Sequence, residues 1–132
     1  MDTSNAYAAG DTAAEANAAA RLKADNAKSQ MRKGILEMCV LAIVAREEAY
    51  PSDIIERLKQ RDLIVVEGTL YPLLTRLKNE GLLSYSWRES RSGPPRKYFQ
   101  LTDEGRTVAT DLQQAWTELV ASVGGLFEVK KE

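Results

Sequence analysis

Residues 66–83, VEGTLYPLLTRLKNEGLL, contain the most regular pattern in the sequence. Four leucines recur at the i, i+3, i+4 and i+7 spacing of one helix face: Leu70, Leu73, Leu74 and Leu77. We expect Gly81 to end this helix, because glycine takes the left-handed conformation after a helix at little steric cost. Pro72 has no N–H and fits only in a first turn, so the helix is predicted to begin near Gly68 or Thr69.

The face opposite these leucines is polar and contains no acidic residue. A projection at about 100° per residue places seven side chains on this face or its flanks: Thr69, Tyr71, Pro72, Thr75, Arg76, Lys78 and Asn79. Hydroxyl, amide and cationic groups are the types that contact DNA phosphates and base edges. The solvated face of an ordinary amphipathic helix has the same composition, so this helix alone leaves both interpretations open.

Length and composition indicate one domain of 132 residues, large enough to bury a core. The apolar run at residues 35–45 is too short to span a bilayer, and the N-terminal residues show no signal-peptide pattern. We therefore expect a cytoplasmic protein. The single cysteine, Cys39, lies within the apolar run and is predicted to be a buried core thiol rather than a redox switch.

Several classes of enzyme are excluded by what the sequence lacks. It contains no histidine and one cysteine, so histidine-dependent catalytic triads and zinc sites built from histidine or several cysteines are ruled out. No glycine-rich phosphate loop is present either. We predict that the protein is not an enzyme and holds no metal or cofactor.

The net charge of −1 conceals an uneven distribution. Residues 66–102 carry six cations and three acids, whereas residues 103–132 carry three cations and six acids. Basic charge is thus concentrated around the leucine helix. Its location matters more for nucleic-acid binding than the total does.

Residues 1–28 are predicted to be an alanine-rich tail, either disordered or a frayed helix, because they contain almost no large apolar side chain. A helix that is apolar almost all round follows, and we place it in the centre of the fold. Arg32 and Lys33 lie at its basic N-terminal end, where phosphate contact and simple solvation both remain open. A second helix begins at Pro51, and a short link joins it to the leucine helix as in a helix-turn-helix.

After Gly81 the apolar period changes to two, which indicates strands. Leu83, Tyr85 and Trp87 are predicted to face one way in the first strand. Residues 89–96 are predicted to form a loop rich in turn-forming residues, and residues 97–102 a second strand. The resulting β-hairpin has Arg91 and Arg96 at its tip.

The last helix is predicted to be capped by Thr102 and to carry an apolar seam, the C-terminal seam. Its residues recur at spacings of three and four: Val108, Leu112, Trp116, Leu119, Val123 and Leu126 or Phe127. The seam could pack on its own domain or on a second copy of the chain. We predict dimerisation, because the central helix is already covered by the other elements.

The strings GTLYPLLTRLKNEGLL (residues 68–83) and SGPPRKYFQLTDEG (residues 92–105) resemble the PadR family of bacterial transcriptional regulators. The resemblance covers roughly residues 29–127. It implies an α+β, mainly helical fold, with a winged helix-turn-helix at residues 29–102 and a C-terminal dimerisation helix at residues 103–132. It also implies a recognition helix at residues 68–80 and a wing at residues 90–97. Glu67 and the N-terminal tail depart from the family pattern.

The resemblance implies a homodimeric DNA-binding regulator, most simply a repressor, that reads a two-fold symmetric operator. Twelve DNA-contacting residues are predicted: Arg32, Lys33, Thr69, Tyr71, Pro72, Thr75, Arg76, Lys78, Asn79, Arg91, Arg96 and Lys97. The predicted dimer interface comprises Val108, Leu112, Leu119, Val123 and Phe127.

The family also implies a central cavity for a small planar aromatic effector, in which Trp116 would make contact. Alternatively, Trp116 only packs the dimer. The alternative function is a winged-helix protein-interaction module without an operator of its own. Salt dependence separates the two functions, because DNA binding weakens steeply as ionic strength rises.

Overall fold

A computed structural model describes residues 4–128, with side chains from residue 12 onward. The elements occur in the order α1 (Ser4–Arg46), α2 (Pro51–Gln60), α3 (Glu67–Asn79), β1 (Leu83–Ser90), β2 (Gly93–Leu101) and α4 (Asp103–Leu126). The chain divides into two compact units, one that ends at Ile35 and one that begins at Leu36. No helix in the described part of the chain is long and apolar enough to cross a membrane.

The first unit consists of the N-terminal part of α1. Its described side chains are nearly all exposed, including those of Leu22 and Met31. Alanine favours the helical conformation even without tertiary support, which accounts for the helix in this alanine-rich stretch. The sequence left two states open for residues 1–28, disorder or a frayed helix. The described residues of this stretch form a helix that continues past position 28. The domain limits at residues 28 and 102 remain predictions.

The second unit is mainly helical and is organised around the leucines of α3. Leu70, Leu74 and Leu77 are fully buried, and Leu73 packs on their edge. Burial of each such side chain is worth about 1.5–3 kcal/mol. The buried core comprises Val40, Leu41, Val44, Ala49, Ile54, Leu58, Leu70, Leu74, Leu77, Leu82, Leu83, Phe99 and Leu101. The predicted apolar stripe of α3 is therefore confirmed.

The part of α1 in the second unit is buried on only one side. Val40, Leu41 and Val44 belong to the core, but Ala42 is exposed and Cys39 is half-buried. Cys39 packs against the core as predicted, but its thiol is only partly buried. Apolar composition shows that a side chain can be buried, but whether it is covered depends on how many neighbours the chain supplies.

Local sequence signals determine how α2 begins and how α3 ends. Pro51 occupies the first turn of α2 as predicted, and the backbone N–H of Tyr50 donates to Asp53 Oδ2 at 3.0 Å. At the end of α3, Gly81 has a φ of +80° and its N–H donates to the Lys78 carbonyl. The N–H of Leu82 donates to the Leu77 carbonyl at 3.0 Å. This pair of bonds is a Schellman motif, which stops the helix and directs the chain into β1.

The predicted start of α3 is wrong by one or two residues. The helix begins at Glu67, so Pro72 lies inside it rather than in its first turn. A proline at this position cannot donate to the Gly68 carbonyl four residues earlier. That carbonyl lies at the exposed end of the helix, where water can satisfy it.

The hairpin differs from its prediction at the tip. Strands β1 and β2 pair antiparallel from Leu83↔Leu101 to Ser90↔Gly93, so the predicted loop over residues 89–96 is wrong. Only residues 91–92 connect the strands, and Pro94 and Pro95 lie within β2. Both strands of a two-stranded sheet are edge strands, so the nitrogen of a proline can face away from the partner strand, where no hydrogen bond of the sheet is lost. The tip is therefore narrow.

Thr102 joins the hairpin to α4 and caps this helix as predicted. Its Oγ1 accepts from the Gly105 N–H at 2.9 Å and donates to the Gly81 carbonyl at 2.6 Å. A Cβ added at Gly105 would overlap the Leu82 carbonyl oxygen. Glycine at position 105 therefore allows α4 to lie directly against the chain that leaves α3.

Candidate nucleic-acid interface

The outer face of α3 is exposed along its whole length. All seven predicted contact residues on this helix are exposed: Thr69, Tyr71, Pro72, Thr75, Arg76, Lys78 and Asn79. Because the leucines on the opposite face anchor the helix in the core, this polar face is held rigidly at the surface. It offers hydroxyl, amide and cationic groups, which are the types of group that contact base edges and phosphates.

Arg76 differs from the other residues of this face because its charge is already paired. Its Nη1 donates to Glu80 Oε1 at 3.0 Å, and its Nη2 donates to Glu37 Oε2 on α1 at 3.2 Å. The hydrogen bond with Glu80, followed by that with Glu37, raises the pKa of Arg76 above its ordinary value. Arg76 would have to exchange these carboxylates for a phosphate or a base.

The cations of the hairpin lie against aromatic rings. Lys97 Nζ is 4.6 Å from the centre of the Tyr85 ring, and the Arg96 guanidinium is 5.7 Å from the centre of the Tyr50 ring. Such contacts hold a cation in place without neutralising it. Arg91, at the tip, makes no ion pair or ring contact with any described residue and is free to reach a phosphate.

Arg88 is a hairpin cation with a different environment. Its guanidinium lies 3.7 Å from the centre of the Tyr98 ring and donates to Glu48 Oε2 at 2.9 Å. Through these two contacts Arg88 links the hairpin to the loop after α1. Arg88 is not among the predicted DNA contacts, in agreement with its pairing with Glu48.

A groove of about 430 Å³ separates α3 from the hairpin, and we call it the α3–wing groove. Its lining comprises Tyr50, Pro51 and Ser52 at the start of α2, Tyr71, Leu74 and Thr75 of α3, and Trp87, Pro95, Arg96, Lys97 and Phe99 of the hairpin. No acidic residue lines it. The structure therefore brings Tyr71, Thr75, Arg96 and Lys97 together around one cleft, as a contact surface would require.

The sequence did not single out Trp87 as a site residue, because its alternation with Leu83 and Tyr85 predicts a core-facing position. Leu83 is buried and Tyr85 half-buried, but Trp87 is 60% exposed. Strand β1 extends past the edge of the core, and at that point Trp87 lines the α3–wing groove instead of packing in the core. No signal in the sequence separates Trp87 from Leu83 and Tyr85, because tertiary packing decides where along β1 the core ends.

Arg32 and Lys33, the remaining predicted DNA contacts, are exposed on α1 in the first unit. Their contact with DNA remains a prediction.

Comparison with known proteins identifies the family. The PadR-like family of transcriptional regulators matches residues 40–111, which is 72 of the 132 residues. The chain belongs to this family. The matched segment contains the whole of α2, α3, the hairpin and the first part of α4.

Solved PadR structures agree with this assignment. A PadR-like transcription factor from Bacteroides fragilis is 57% identical, covers 76% of this chain and 98% of its own, and superposes with a TM-score of 0.65. A PadR family regulator from Eggerthella lenta is 35% identical, covers 85% of this chain and 98% of its own, and has a TM-score of 0.77. The predicted winged helix-turn-helix fold is therefore confirmed.

A curated relative agrees as well. The transcriptional regulator Rv3488 of Mycobacterium tuberculosis is 29% identical over 96 residues, which cover 73% of this chain and 89% of the relative. PadR proteins are transcriptional regulators and not enzymes, in agreement with the function class predicted from the sequence.

A second groove of this PadR chain lies between the second-unit part of α1 and α4, and we call it the α1–α4 groove. It has a volume of about 620 Å³. It is lined by Met38, Cys39, Ala42, Ala45 and Arg46 from α1 and by Arg106, Ala109, Thr110, Gln113 and Trp116 from α4. Burial raises the pKa of the Cys39 thiol. Trp116, the predicted effector contact, thus lies on the wall of a groove with an apolar floor.

The C-terminal seam is divided between two environments. Val108 and Leu112 pack against the core of their own chain, whereas Leu119 and Val123 are about half exposed and Phe127 is 82% exposed. The five predicted interface residues therefore do not form one free surface. Of these five residues, Leu119, Val123 and Phe127 are the ones that a partner could cover.

Proposed function

We propose that this PadR protein is a cytoplasmic, homodimeric, DNA-binding transcriptional repressor that reads a two-fold symmetric operator. The observation that carries the proposal is the surface shared by α3 and the hairpin. There, exposed hydroxyl, amide and cationic side chains surround a groove that no acidic residue lines. A recognition helix that enters the major groove, with a wing on the flanking backbone or minor groove, would use this surface.

The exposed half of α4 supports the homodimer. Large apolar side chains at Leu119, Val120, Val123, Leu126 and Phe127 are 48–83% exposed, which is an unusual concentration of apolar surface for one helix. A second copy of the chain would cover it and would bring a second recognition helix. Two such helices a helical turn apart are what a two-fold symmetric operator requires.

The α1–α4 groove supports relief of repression by a small planar aromatic effector. Its apolar floor and the Trp116 indole suit stacking against an aromatic ring, and its Arg46 and Arg106 suit an acidic substituent. A Trp87→Phe variant leaves Trp116 as the only tryptophan. We expect quenching of its fluorescence, together with weaker operator binding, when an effector binds. This part of the proposal fails if no planar aromatic compound changes either signal.

Footprinting and gel-shift titration of the purified protein on the DNA upstream of its own gene test the DNA-binding proposal. We expect a protected two-fold symmetric site, and binding that weakens steeply as salt is raised, because cations are released from the neutralised phosphates. A random duplex of the same length provides the matched control for specificity. The absence of binding to either duplex at low salt would contradict the proposal and favour a protein-interaction module.

A further inference from the structure

We propose that the α3–wing groove binds the sugar–phosphate backbone of one DNA strand, with Trp87 and Tyr71 packed on deoxyribose and Lys97 and Arg96 paired with phosphates. This inference rests on the proposed DNA-binding function and specifies which part of the DNA lies in the groove between α3 and the hairpin. It also adds Trp87 to the residues that contact DNA.

The first argument is geometric. The recognition helix of a winged helix lies in the major groove, and the wing lies against the adjacent minor groove or its flanking backbone. The strand that separates these two DNA grooves must then pass between helix and wing. Tyr71 and Thr75 on one wall and Trp87 and Lys97 on the other form this cleft.

The second argument is the chemistry of the walls. Trp87 is 60% exposed and Tyr71 is 49% exposed, so two large aromatic side chains are accessible to solvent beside the cleft. Aromatic rings pack well on the apolar face of a sugar while cations pair with its phosphates. Lys97 Nζ lies 5.5 Å from the centre of the Trp87 ring and makes no ion pair with a described residue. Its positive charge is therefore held at the cleft and remains available to a phosphate.

The third argument concerns shape. Beyond Lys97 the cleft continues into a smaller one of about 110 Å³, which shares Leu74, Thr75, Lys97 and Phe99 and adds Lys78, Asn79 and Tyr85. Lys78 Nζ lies 5.9 Å from the centre of the Tyr85 ring. An open channel lined by Arg96 and Lys97 of β2 and, further along, by Lys78 of α3 fits an extended polyanion better than a compact ligand.

The two tryptophans of the chain allow a direct test. In a Trp116→Phe protein, Trp87 is the only tryptophan. We titrate this protein at low salt with a random duplex of about 30 base pairs, following binding by gel shift and the accessibility of Trp87 by acrylamide quenching. We expect the quenching constant to fall at least about twofold at saturation, because backbone contact does not depend on sequence.

Three results would overturn the proposal in distinguishable ways. If the duplex is bound but Trp87 stays as accessible as in the free protein, the groove does not hold the strand, while the DNA-binding function stands. If benzoate shields Trp87 and DNA does not, the groove is a small-molecule site. If no duplex is bound, the proposed function fails together with this inference.

Matched variants separate charge from packing. We expect Lys97→Gln to lower the slope of log affinity against log salt concentration by about one. Arg88→Gln is the control, since it removes the same charge from the same hairpin, at a residue that contacts Glu48 and Tyr98 and does not line the groove, and we expect no change in the slope. Trp87→Ala should weaken binding to random duplex about tenfold without a change in slope, and Trp87→Phe should restore most of the affinity. Equal salt slopes for wild type and Lys97→Gln would contradict the assignment of Lys97.

Discussion

Arg76, on the outer face of α3, is joined to Glu37 of α1 by a hydrogen-bonded ion pair of 3.2 Å. A second carboxylate, that of Glu80, lies 3.0 Å from the other terminal nitrogen of the same guanidinium. The predicted recognition helix is therefore fastened to α1 through a residue that was predicted to contact DNA. Both partners are partly exposed, so solvent weakens the pair and Arg76 can exchange it for DNA.

Replacement of Thr75 and Arg76 by alanine tests this surface. Neither residue belongs to the leucine stripe, so we expect the circular dichroism spectrum to be unchanged and operator affinity to fall about tenfold or more, as for lost base-edge contacts. The measurement is a gel shift on operator and random duplex. Glu37→Gln is the control, because it breaks the ion pair and leaves the outer face of α3 intact. Normal operator binding by the double variant would contradict the assignment.

The wing cations should contribute affinity without specificity. Replacing Arg91 and Arg96 by alanine is expected to weaken binding to all duplexes about equally and to lower the salt slope by about one to two. Lys59→Ala with Arg61→Ala removes two exposed cations from the end of α2 and serves as the control. Equal salt slopes for the wing variant and the wild type would show that the wing does not touch phosphates.

The exposed half of α4 should hold the dimer. Leu119→Asp would place two carboxylates in one apolar interface, at a desolvation cost of several kcal/mol. We expect sedimentation as a monomer and loss of operator binding. Ala121→Asp adds the same charge on the side of α4 away from Leu119 and should leave the dimer intact. A wild-type chain that sediments as a monomer at micromolar concentration would exclude the homodimer.

The contact between α4 and the end of α3 predicts a strong effect at Gly105. An alanine Cβ there would overlap the Leu82 carbonyl oxygen and lie 3.1 Å from Leu101 Cδ2. We expect Gly105→Ala to lower the free energy of unfolding by about 1–3 kcal/mol, measured by urea denaturation. Gly124→Ala, where no atom beyond the adjacent residues and the helix's own backbone lies within 4 Å of the added Cβ, should be neutral or stabilising by up to about 1 kcal/mol. Equal stability of the two variants would contradict close packing of Gly105 on the Leu82 carbonyl.

Cys39 should react slowly despite its position on the wall of the α1–α4 groove. Burial raises the pKa of its thiol, so at pH 8 a smaller fraction is thiolate than in a free cysteine. We expect iodoacetamide to alkylate the folded protein more slowly than the urea-unfolded chain, with the rate rising as pH increases. An equal rate in both states would show that the thiol is not desolvated.

The local features of the fold could be predicted because neighbours in sequence decide them. The leucine spacing of α3, the left-handed Gly81 and the Thr102 cap depend on residues within a few positions. The same periodicity separated the buried from the exposed face of α3, so all seven proposed contact residues on this helix were found at the surface.

Sequence alone determined the PadR resemblance, the order of elements and the polar face of α3. Only the tertiary structure decided that Arg76 pairs with Glu37, that Trp87 lines a groove and that Val108 and Leu112 pack on their own core. Each of these depends on residues distant in sequence or on where the core ends. An apolar or charged pattern specifies which side chains can be buried or paired, and the three-dimensional packing decides which neighbours they meet.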